Sequence, residues 1–289
     1  MKKRTVIGIV GQGFVGKAIK EGFSRDIFLV ETYDKYQKNK SSCESLGELV
    51  EKAKIIFVCV PTPMKRDGSC DLSIVYDVIS QLDQMSTSSH VVVLKSTVPP
   101  GTTSTLNNTC ENMQVVFNPE FLTEANYLSD FKNQNYIIIG GPRPASTLVK
   151  NLYRKAFNEI PIIKTSSSTA ETVKYFINCF LATKVSFANE FKQICNQLDT
   201  DVDYDKVLEY ALYDGRIGKT HLSAPGPDGK PGFGGSCFPK DINAFLTVAK
   251  EADVDPKILQ AAWDKNLEVR PEKDWEKLIG RAVAREDVE

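Results

Sequence analysis

The chain has 289 residues, enough for two domains or one large one, and its 42% hydrophobic and 25% charged residues are the balance of a globular protein. A net charge of −1 gives no electrostatic attraction to nucleic acid or to an anionic membrane surface. No run of roughly 18 apolar residues is present to span a bilayer, and seven cysteines without C-x-x-C spacing, beside only two histidines, argue against a disulfide framework or a zinc site and suit a reducing cytoplasm.

The start, "MKKRTVIGIVGQGF", has basic residues before apolar ones, as a secretion signal does. Its apolar run is short, broken by glycine and without a small-residue cleavage site, so it reads as a first β-strand. Strands are expected over 5–10, 28–34, 55–60, 91–96, 114–119, 136–141 and 160–165, separated by amphipathic helical stretches such as 72–82 and 145–157. Runs such as "IIFVCV" and "VVVLKS" are apolar almost throughout, which implies burial on both faces, as in a parallel sheet. Residues 1–166 therefore read as an α/β domain with a doubly wound, Rossmann-like parallel sheet.

After "TSSST" the texture changes. Ser168 and Glu171 have the S-x-x-E spacing of a capping box, opening a helix that runs to about Leu198. Helical patterns follow at 203–212, 239–252, 255–269 and 273–285, so residues 167–289 read as a mainly helical domain with a long central helix. Val173, Phe176, Phe180, Val185, Phe187, Phe191 and Ile194 put apolar side chains on more than one side of that helix. Such a helix is buried, either by its own domain or across a dimer contact. The stretch "IGKTHLSAPGPDGKPGFGGSCFPKD" (217–241) is too rich in Gly and Pro for regular structure.

"GQGFVG" sets Gly11, Gly13 and Gly16 around Gln12, Phe14 and Val15, directly after the first strand and at the head of a helix. A bare G-x-G-x-x-G also fits a plain glycine turn. Here Asp34, 18 residues past Gly16, ends the second strand, where a carboxylate can accept hydrogen bonds from both ribose hydroxyls. The context predicts a dinucleotide site with the pyrophosphate at the helix N-terminus. The acid repels a 2′-phosphate, so NAD is preferred over NADP, with Lys35 beside it softening that preference. Thr62 in "VCVPTP" and Ser96 and Thr97 in "KSTVPPG" fall just past strand ends, where open α/β sheets bind ligands. Thr and Pro also simply end strands, but two instances in one sheet favour a cofactor contact.

Cys59 and Cys179 sit in apolar runs and read as core filler. Cys237 does not, because its neighbours in "PGFGGSCFPKD" favour loop conformations. A helix expected from Pro239 puts the thiol at a positive helix end, close to Lys240, and both favour the thiolate. Upstream glycine amides can hold an oxyanion. Lys174 and Asn178 share a helix face at i and i+4, either as an exposed lysine and tolerated asparagine or as a polar pair. Asn178 lies among Phe176, Ile177, Cys179, Phe180 and Leu181, where an unpartnered amide is unfavourable. Glu120 and Glu124 in "FNPEFLTEAN", again i and i+4, suit either helix-dipole partners or a general base.

"GQGFVG", "VPTP", "KSTVPPGTT", "NPEFLTEAN", "ETVKYFINCFLATKVSFANE" and "GFGGSCFPKD" stand in an order that resembles the UDP-glucose/GDP-mannose dehydrogenase family, from residue 6 to about 250. The resemblance implies oxidation of a sugar's primary alcohol to a carboxylate with two NAD⁺ and no metal, on a nucleotide-sugar substrate, UDP-glucose foremost. It implies that Cys237 adds to the aldehyde as a thiohemiacetal and passes through a thioester. It further implies that Lys174 and Asn178 stabilise negative oxygen and organise water, with Asp241 in the same network. By the same resemblance Glu120 acts in thioester hydrolysis, with Thr97 near that water, Glu124 lies near the nicotinamide, and Phe233 and Gly234 contact the sugar. A homodimer through the long helix is also expected.

Two departures stand out. The family normally continues into a further α/β domain that holds much of the nucleotide, and this chain stops about where that domain would begin. The loop "THLSAPGPDGKPG" is longer than the common form. A two-domain β-hydroxyacid dehydrogenase, making one two-electron oxidation without a cysteine, fits the fold as well. So does a truncated NAD-binding partner of a full-length enzyme, or the expressed part of a longer protein.

Overall fold

The computed structural model describes residues 4–285; residues 1–3, within the basic N-terminal run, and 286–289 lie outside it. The chain forms two compact units. One runs through Thr62 and resumes over Leu72–Lys174, and the other is Pro63–Asp71 with the chain from Tyr175 on.

The first unit is a seven-stranded sheet with helices on both faces. Its strands are β1 (Thr5–Val10), β2 (Phe28–Tyr33), β3 (Ile55–Val58), β4 (His90–Leu94), β5 (Met113–Phe117), β6 (Ile137–Gly140) and β7 (Ile162–Thr165). The helices are α1 (Phe14–Gly22), α2 (Leu46–Lys52), α3 (Ser73–Met85), α4 (Thr102–Thr109), α5 (Tyr127–Lys132) and α6 (Ala145–Ala156). The spatial order is β2-β1-β3-β4-β5-β6-β7, so the connections leave β1 in opposite directions and open a crevice at its carboxyl end.

Successive strand residues feed opposite cores. Ile56, Val58, Val92 and Leu94 pack with Leu49 of α2 and Ile79 of α3, while Ile7, Ile9, Phe57 and Val93 pack with Ile19 of α1 and Leu152 of α6. Burial on both sides explains why these strands were legible as apolar runs. The all-parallel expectation needs one correction, since β5 and β6 pair antiparallel through Phe117 and Gly140. The chain between them stays at the carboxyl edge of β5 and carries only the six-residue α5, which packs on α1, so no crossover returns it to the far edge.

Three strands stop two residues short of their expected ends, after Val58, Leu94 and Phe117. Cys59, Lys95 and Asn118 still donate backbone N–H to Val10, Val58 and Leu94, at 2.8, 2.9 and 2.9 Å, as the strands give way to loops.

Helix α7 (Ser167–Gln197) is continuous over 31 residues. The expected capping box is not its start. The hydroxyl of Ser166 accepts the Thr169 N–H at 3.2 Å and donates to Thr169 Oγ1 at 2.7 Å. Glu171 caps a different helix: its fully buried carboxylate accepts N–H from Gly101 at 2.7 Å and Thr103 at 2.8 Å, at the head of α4. Burial pushes the Glu171 carboxyl up from its ordinary range, against those two hydrogen bonds.

The second unit adds α8 (Tyr204–Ala211), α9 (Phe238–Glu251) and α10 (Lys257–Val269). The expected helix over 273–285 is only a 3₁₀ turn, Asp274–Lys277. Lys273 before it is left-handed at φ 42° and Gly280 after it at φ 75°, and Gly280 N–H bonds to Val283 O at 2.7 Å, which closes a turn instead. The strap 63–71 is pinned there, with Met64 N donating to Ala282 O and Ala284 N to Met64 O, both at 2.8 Å. Trp275, fully buried, stacks obliquely on Trp263 at 5.3 Å.

Within this unit α7 buries Tyr175, Cys179, Ala182, Val185 and Ala188, yet Phe176, Phe180 and Phe187 remain 67%, 57% and 58% exposed. Among the described residues nothing covers this second apolar face. No helix among the described residues is long and apolar enough to cross a membrane.

Candidate active site

The glycine turn after β1 is built for close approach. Gly11 sits at φ +91°, and a Cβ there would lie 2.6 Å from the Cys59 carbonyl oxygen. A Cβ on Gly16 would stand 2.0 Å from Gly11 O, so this glycine seats α1 against the turn. Gly13 is the N-cap of α1, supplies no side chain to it, and has open space on its Cβ side. The first-turn N–H groups of Phe14, Val15 and Gly16 therefore have no partner within the helix, the arrangement that receives an anion.

Asp34, just past β2, is buried and firmly oriented. Oδ2 accepts the Gln12 N–H at 2.7 Å, and Oδ1 accepts those of Tyr36 and Gln37, both at 2.9 Å. Of its roughly four acceptor positions one on Oδ2 remains, approached only by the Gln37 amide at 3.5 Å. These residues fit a dinucleotide whose ribose meets a fixed carboxylate. At the neighbouring strand ends Thr62, Ser96 and Thr97 are all buried, and Ser96 Oγ donates to Val60 O at 2.7 Å.

Glu120 and Lys174 form a buried ion pair. Lys174 Nζ donates to Glu120 Oε1 at 2.9 Å and to the Glu120 backbone oxygen at 2.7 Å, while Glu120 Oε2 accepts the Leu122 N–H at 2.8 Å. Burial alone would raise the Glu120 carboxyl. The Lys174 charge, the Leu122 N–H and the more distant Lys95 outweigh it, so the group is held below its usual range and is an anion at neutral pH. The i, i+4 helical relation expected for Glu120 and Glu124 does not form, because α5 begins only at Tyr127 and its first-turn acid is Asp130. Glu124 lies exposed on the turn before it.

In the second unit Cys237 is the N-cap of α9, with Pro239 in the first turn, one residue from the expected start. Half-buried Cys237 is followed by Lys240 and the fully buried Asp241. Asp241 Oδ1 accepts from Lys240 Nζ and Oδ2 from Asn178 Nδ2 at 2.6 Å. The amide of Asn178 thus has the partner its apolar setting demanded. Burial would pull Lys240 down, but Asp241, Cys237 and Cys70 together push its pKa up, so the ammonium persists beside the thiol. Lys174 and Asn178 stand one turn apart on α7.

The glycine loop ahead of the thiol is fastened from behind. Asn266 Oδ1 accepts the Phe233 N–H at 2.7 Å and its Nδ2 donates to Phe233 O at 3.0 Å. The Phe233 ring is itself buried against Phe238 and Trp263. Arg270 grips Asp274 through Nε at 2.9 Å and Nη2 at 2.8 Å, and reaches Asp228 at 2.6 Å. A Cβ on Gly234 would come within 2.5 Å of Asp274 Oδ1, whereas Gly235, at φ +71°, faces open space. The loop's outward offering is main chain.

Sequence reasoning missed Lys95, Asn118, Tyr153, Asn266 and Arg270. A lysine closing the buried run "VVVLK" was the one local signal for Lys95. Arg270, at the end of α10 ahead of a proline, looks like an ordinary helix-end cation. Among the described residues no group of three His, Cys, Asp or Glu side chains is placed to hold a metal ion.

The family model for the UDP-glucose/GDP-mannose dehydrogenase family, NAD binding domain, matches residues 29–157, and that for the family's central domain matches 168–268, a span that includes Cys237. A UDP-glucose 6-dehydrogenase of Rickettsia bellii is 36% identical over 229 residues, covering 77% of this chain and 51% of its own length. The UDP-glucose 6-dehydrogenase AglM of Haloferax volcanii is 32% identical, covering 90% of this chain and 69% of its own. A solved UDP-glucose dehydrogenase from the hyperthermophilic archaeon Pyrobaculum islandicum superposes with a TM-score of 0.82 at 29% identity, over 92% of this chain and 68% of that one. The chain spans about half the length of several curated relatives it matches.

Proposed function

Because the chain belongs to the UDP-glucose/GDP-mannose dehydrogenase family, we propose that it is an NAD-dependent nucleotide-sugar dehydrogenase oxidising the sugar C6 alcohol to a carboxylate, UDP-glucose to UDP-glucuronate first among the candidates. The observation that carries this reading is Cys237 at the head of α9, with a persistent ammonium on Lys240 and the Asp241–Asn178 hydrogen bond in the first turn beyond it. NAD⁺ would be held by Gly11, Gly13, Phe14, Val15, Gly16 and Asp34, with Thr62, Ser96 and Thr97 in contact with it and Glu124 near its nicotinamide, and would supply the hydride acceptor for both oxidations.

The protein's own part is covalent. Once the alcohol has become an aldehyde, the Cys237 sulfur adds to the carbonyl carbon and the oxygen takes a proton, giving a thiohemiacetal. Loss of hydride from that carbon, with the hydroxyl proton, leaves a thioester. Water then adds, the C–S bond breaks, and the carboxylate leaves with the thiol restored. Lys174 and Asn178 stabilise the negative oxygen, Asp241 fixes Asn178, and ionised Glu120 accepts the proton of the attacking water near Thr97. Gly234 and the backbone near Phe233 line the sugar's approach. A reducing cytoplasm keeps the thiol available.

Incubation with UDP-glucose and NAD⁺ tests the reading by counting NADH against sugar consumed. Two equivalents per sugar are expected. One equivalent would reduce the protein to a two-electron dehydrogenase, and NAD⁺ binding without turnover of any nucleotide sugar would make it a non-catalytic partner.

The uncovered face of α7 supports a homodimer, since stacked Phe176 and Phe180 and neighbouring Phe187 and Phe191 form an apolar stripe that water does not favour. Sedimentation should show a dimer that Phe180→Glu with Phe187→Glu converts to a folded monomer. A monomeric wild type would remove the proposal.

A further inference from the structure

Lys95 is 4% exposed at the end of β4, an unusual place for an ammonium. Its Nζ donates to Asn118 Oδ1 at 3.0 Å and to the Pro119 carbonyl at 3.2 Å, the two residues immediately before Glu120. Asn118 is immobilised in turn. Its Nδ2 donates to Ile138 O at 2.7 Å, its Oδ1 also accepts from Tyr153 OH at 2.5 Å, and its backbone N–H bonds to Leu94 O. The charged or titratable groups that act on Lys95 are Cys59, Glu120 and Lys174. Two cations thus serve one carboxylate inside the first unit, and only Lys174 touches it. A buried cation kept merely for packing is replaceable by an apolar chain of similar size; this one is aimed at the turn that presents Glu120.

The geometry points to Lys95 as a positioning residue for Glu120, pinning the 118–119 turn so that the carboxylate meets Lys174 in one orientation and stays ionised. Its catalytic consequence rests on the hydrolytic role proposed for Glu120. Burial brings the Lys95 ammonium down to about 8, with Cys59 and Glu120 opposing and Lys174 assisting. Its charge is therefore present at neutral pH and lost as pH rises through that value. Thioester hydrolysis in the wild type should weaken above about pH 8, and that limb should vanish once Lys95 carries no proton to lose.

The test is Lys95→Met in the full chain, with NAD⁺ and UDP-glucose. The expected result is a retained first burst of NADH and an unchanged sugar KM. Steady-state uronate formation should fall on the order of 10²-fold, as for a displaced catalytic group, with acyl-enzyme accumulating and the limb near pH 8 gone. Equal loss of burst and turnover, or no loss of either, overturns the proposal. A second reading needs no activity: urea unfolding of Lys95→Met, Glu120→Gln and the double variant. If Lys95 serves Glu120, Lys95→Met shifts the unfolding constant at least about fivefold less when Glu120 is already changed; additive shifts overturn it. Should Lys95→Met fail to fold, Lys95→Gln, which keeps an N–H donor without charge, is read in the same cycle. A wild type that turns over no sugar refutes the enzymatic reading and leaves this cycle to judge Lys95 alone.

Discussion

Cys237→Ala is expected to lower uronate formation on the order of 10⁴-fold or more, the scale seen when a covalent nucleophile is removed. The loss should be lopsided. Oxidation of the alcohol needs no thiol, so NADH formation should not exceed about one equivalent per sugar consumed, with aldehyde as the product. A hydrated aldehyde offers a hydride only slowly without the sulfur adduct. Cys237→Ser should behave similarly, because a hydroxyl at the α9 N-cap is a far weaker nucleophile at neutral pH even beside Lys240. The fold is expected to survive, since half-buried Cys237 makes no side-chain cap bond to α9. Steady-state NADH traces with and without an aldehyde trap separate the two oxidations, and full turnover by the alanine variant would remove the cysteine from the chemistry.

Lys174→Met carries the second largest effect because it strikes stability and chemistry together. It leaves the Glu120 carboxylate buried without its direct ion partner, a change that typically destabilises by about 3–5 kcal/mol. The pH dependence identifies the cause. In the wild type the Glu120 pKa is lowered, so its stabilisation is present above the ordinary carboxylate range and is lost only as pH falls through the lowered value. Without Lys174, burial is the dominant influence and lifts the pKa above its unfolded value. The variant then loses stability as pH rises through the unfolded carboxyl range, near 4.3. The difference between the two proteins should therefore widen from about pH 4 to pH 7, and urea unfolding at both pH values measures it. A gap independent of pH would mean that lost packing, rather than the ion pair, explains the effect. On activity, loss of a donor to the developing oxyanion is expected to cost about 10²–10³-fold.

The sheet was legible because Val91–Leu94 and Ile55–Val58 are covered on both faces, and such burial leaves an unbroken apolar run in the sequence. The glycine turn that opens α1 and the loop ahead of α9 were legible because glycine and proline mark each within a few residues, and Asp34, though its partner Gln12 lies 22 residues back, sits at the fixed spacing of a strand-helix-strand unit. What stayed hidden depends on partners far along the chain. S-x-x-E spacing looks alike whether Glu171 folds back on its own helix or caps α4, 68 and 70 residues earlier. Lys95 resembles a strand end until Asn118, 23 residues on, supplies its acceptor. The strap 63–71 contains no regular strand or helix, and its pairing with 282–284 has no signature in composition. The direction of β6 follows from what the 118–136 connection does not do, and no residue in it announces that.

The proposed mechanism turns on a sulfur–carbon bond that forms and breaks at Cys237 during turnover. Wild type and Glu120→Gln should be mixed with NAD⁺ and UDP-glucose, quenched in acid within the first turnovers, digested, and weighed by mass spectrometry. A nucleotide-sugar acyl group is expected on the Cys237 peptide, transient in the wild type and accumulating in Glu120→Gln, where the water lacks its base. Two NADH per sugar with an unmodified Cys237 peptide in both proteins would contradict it.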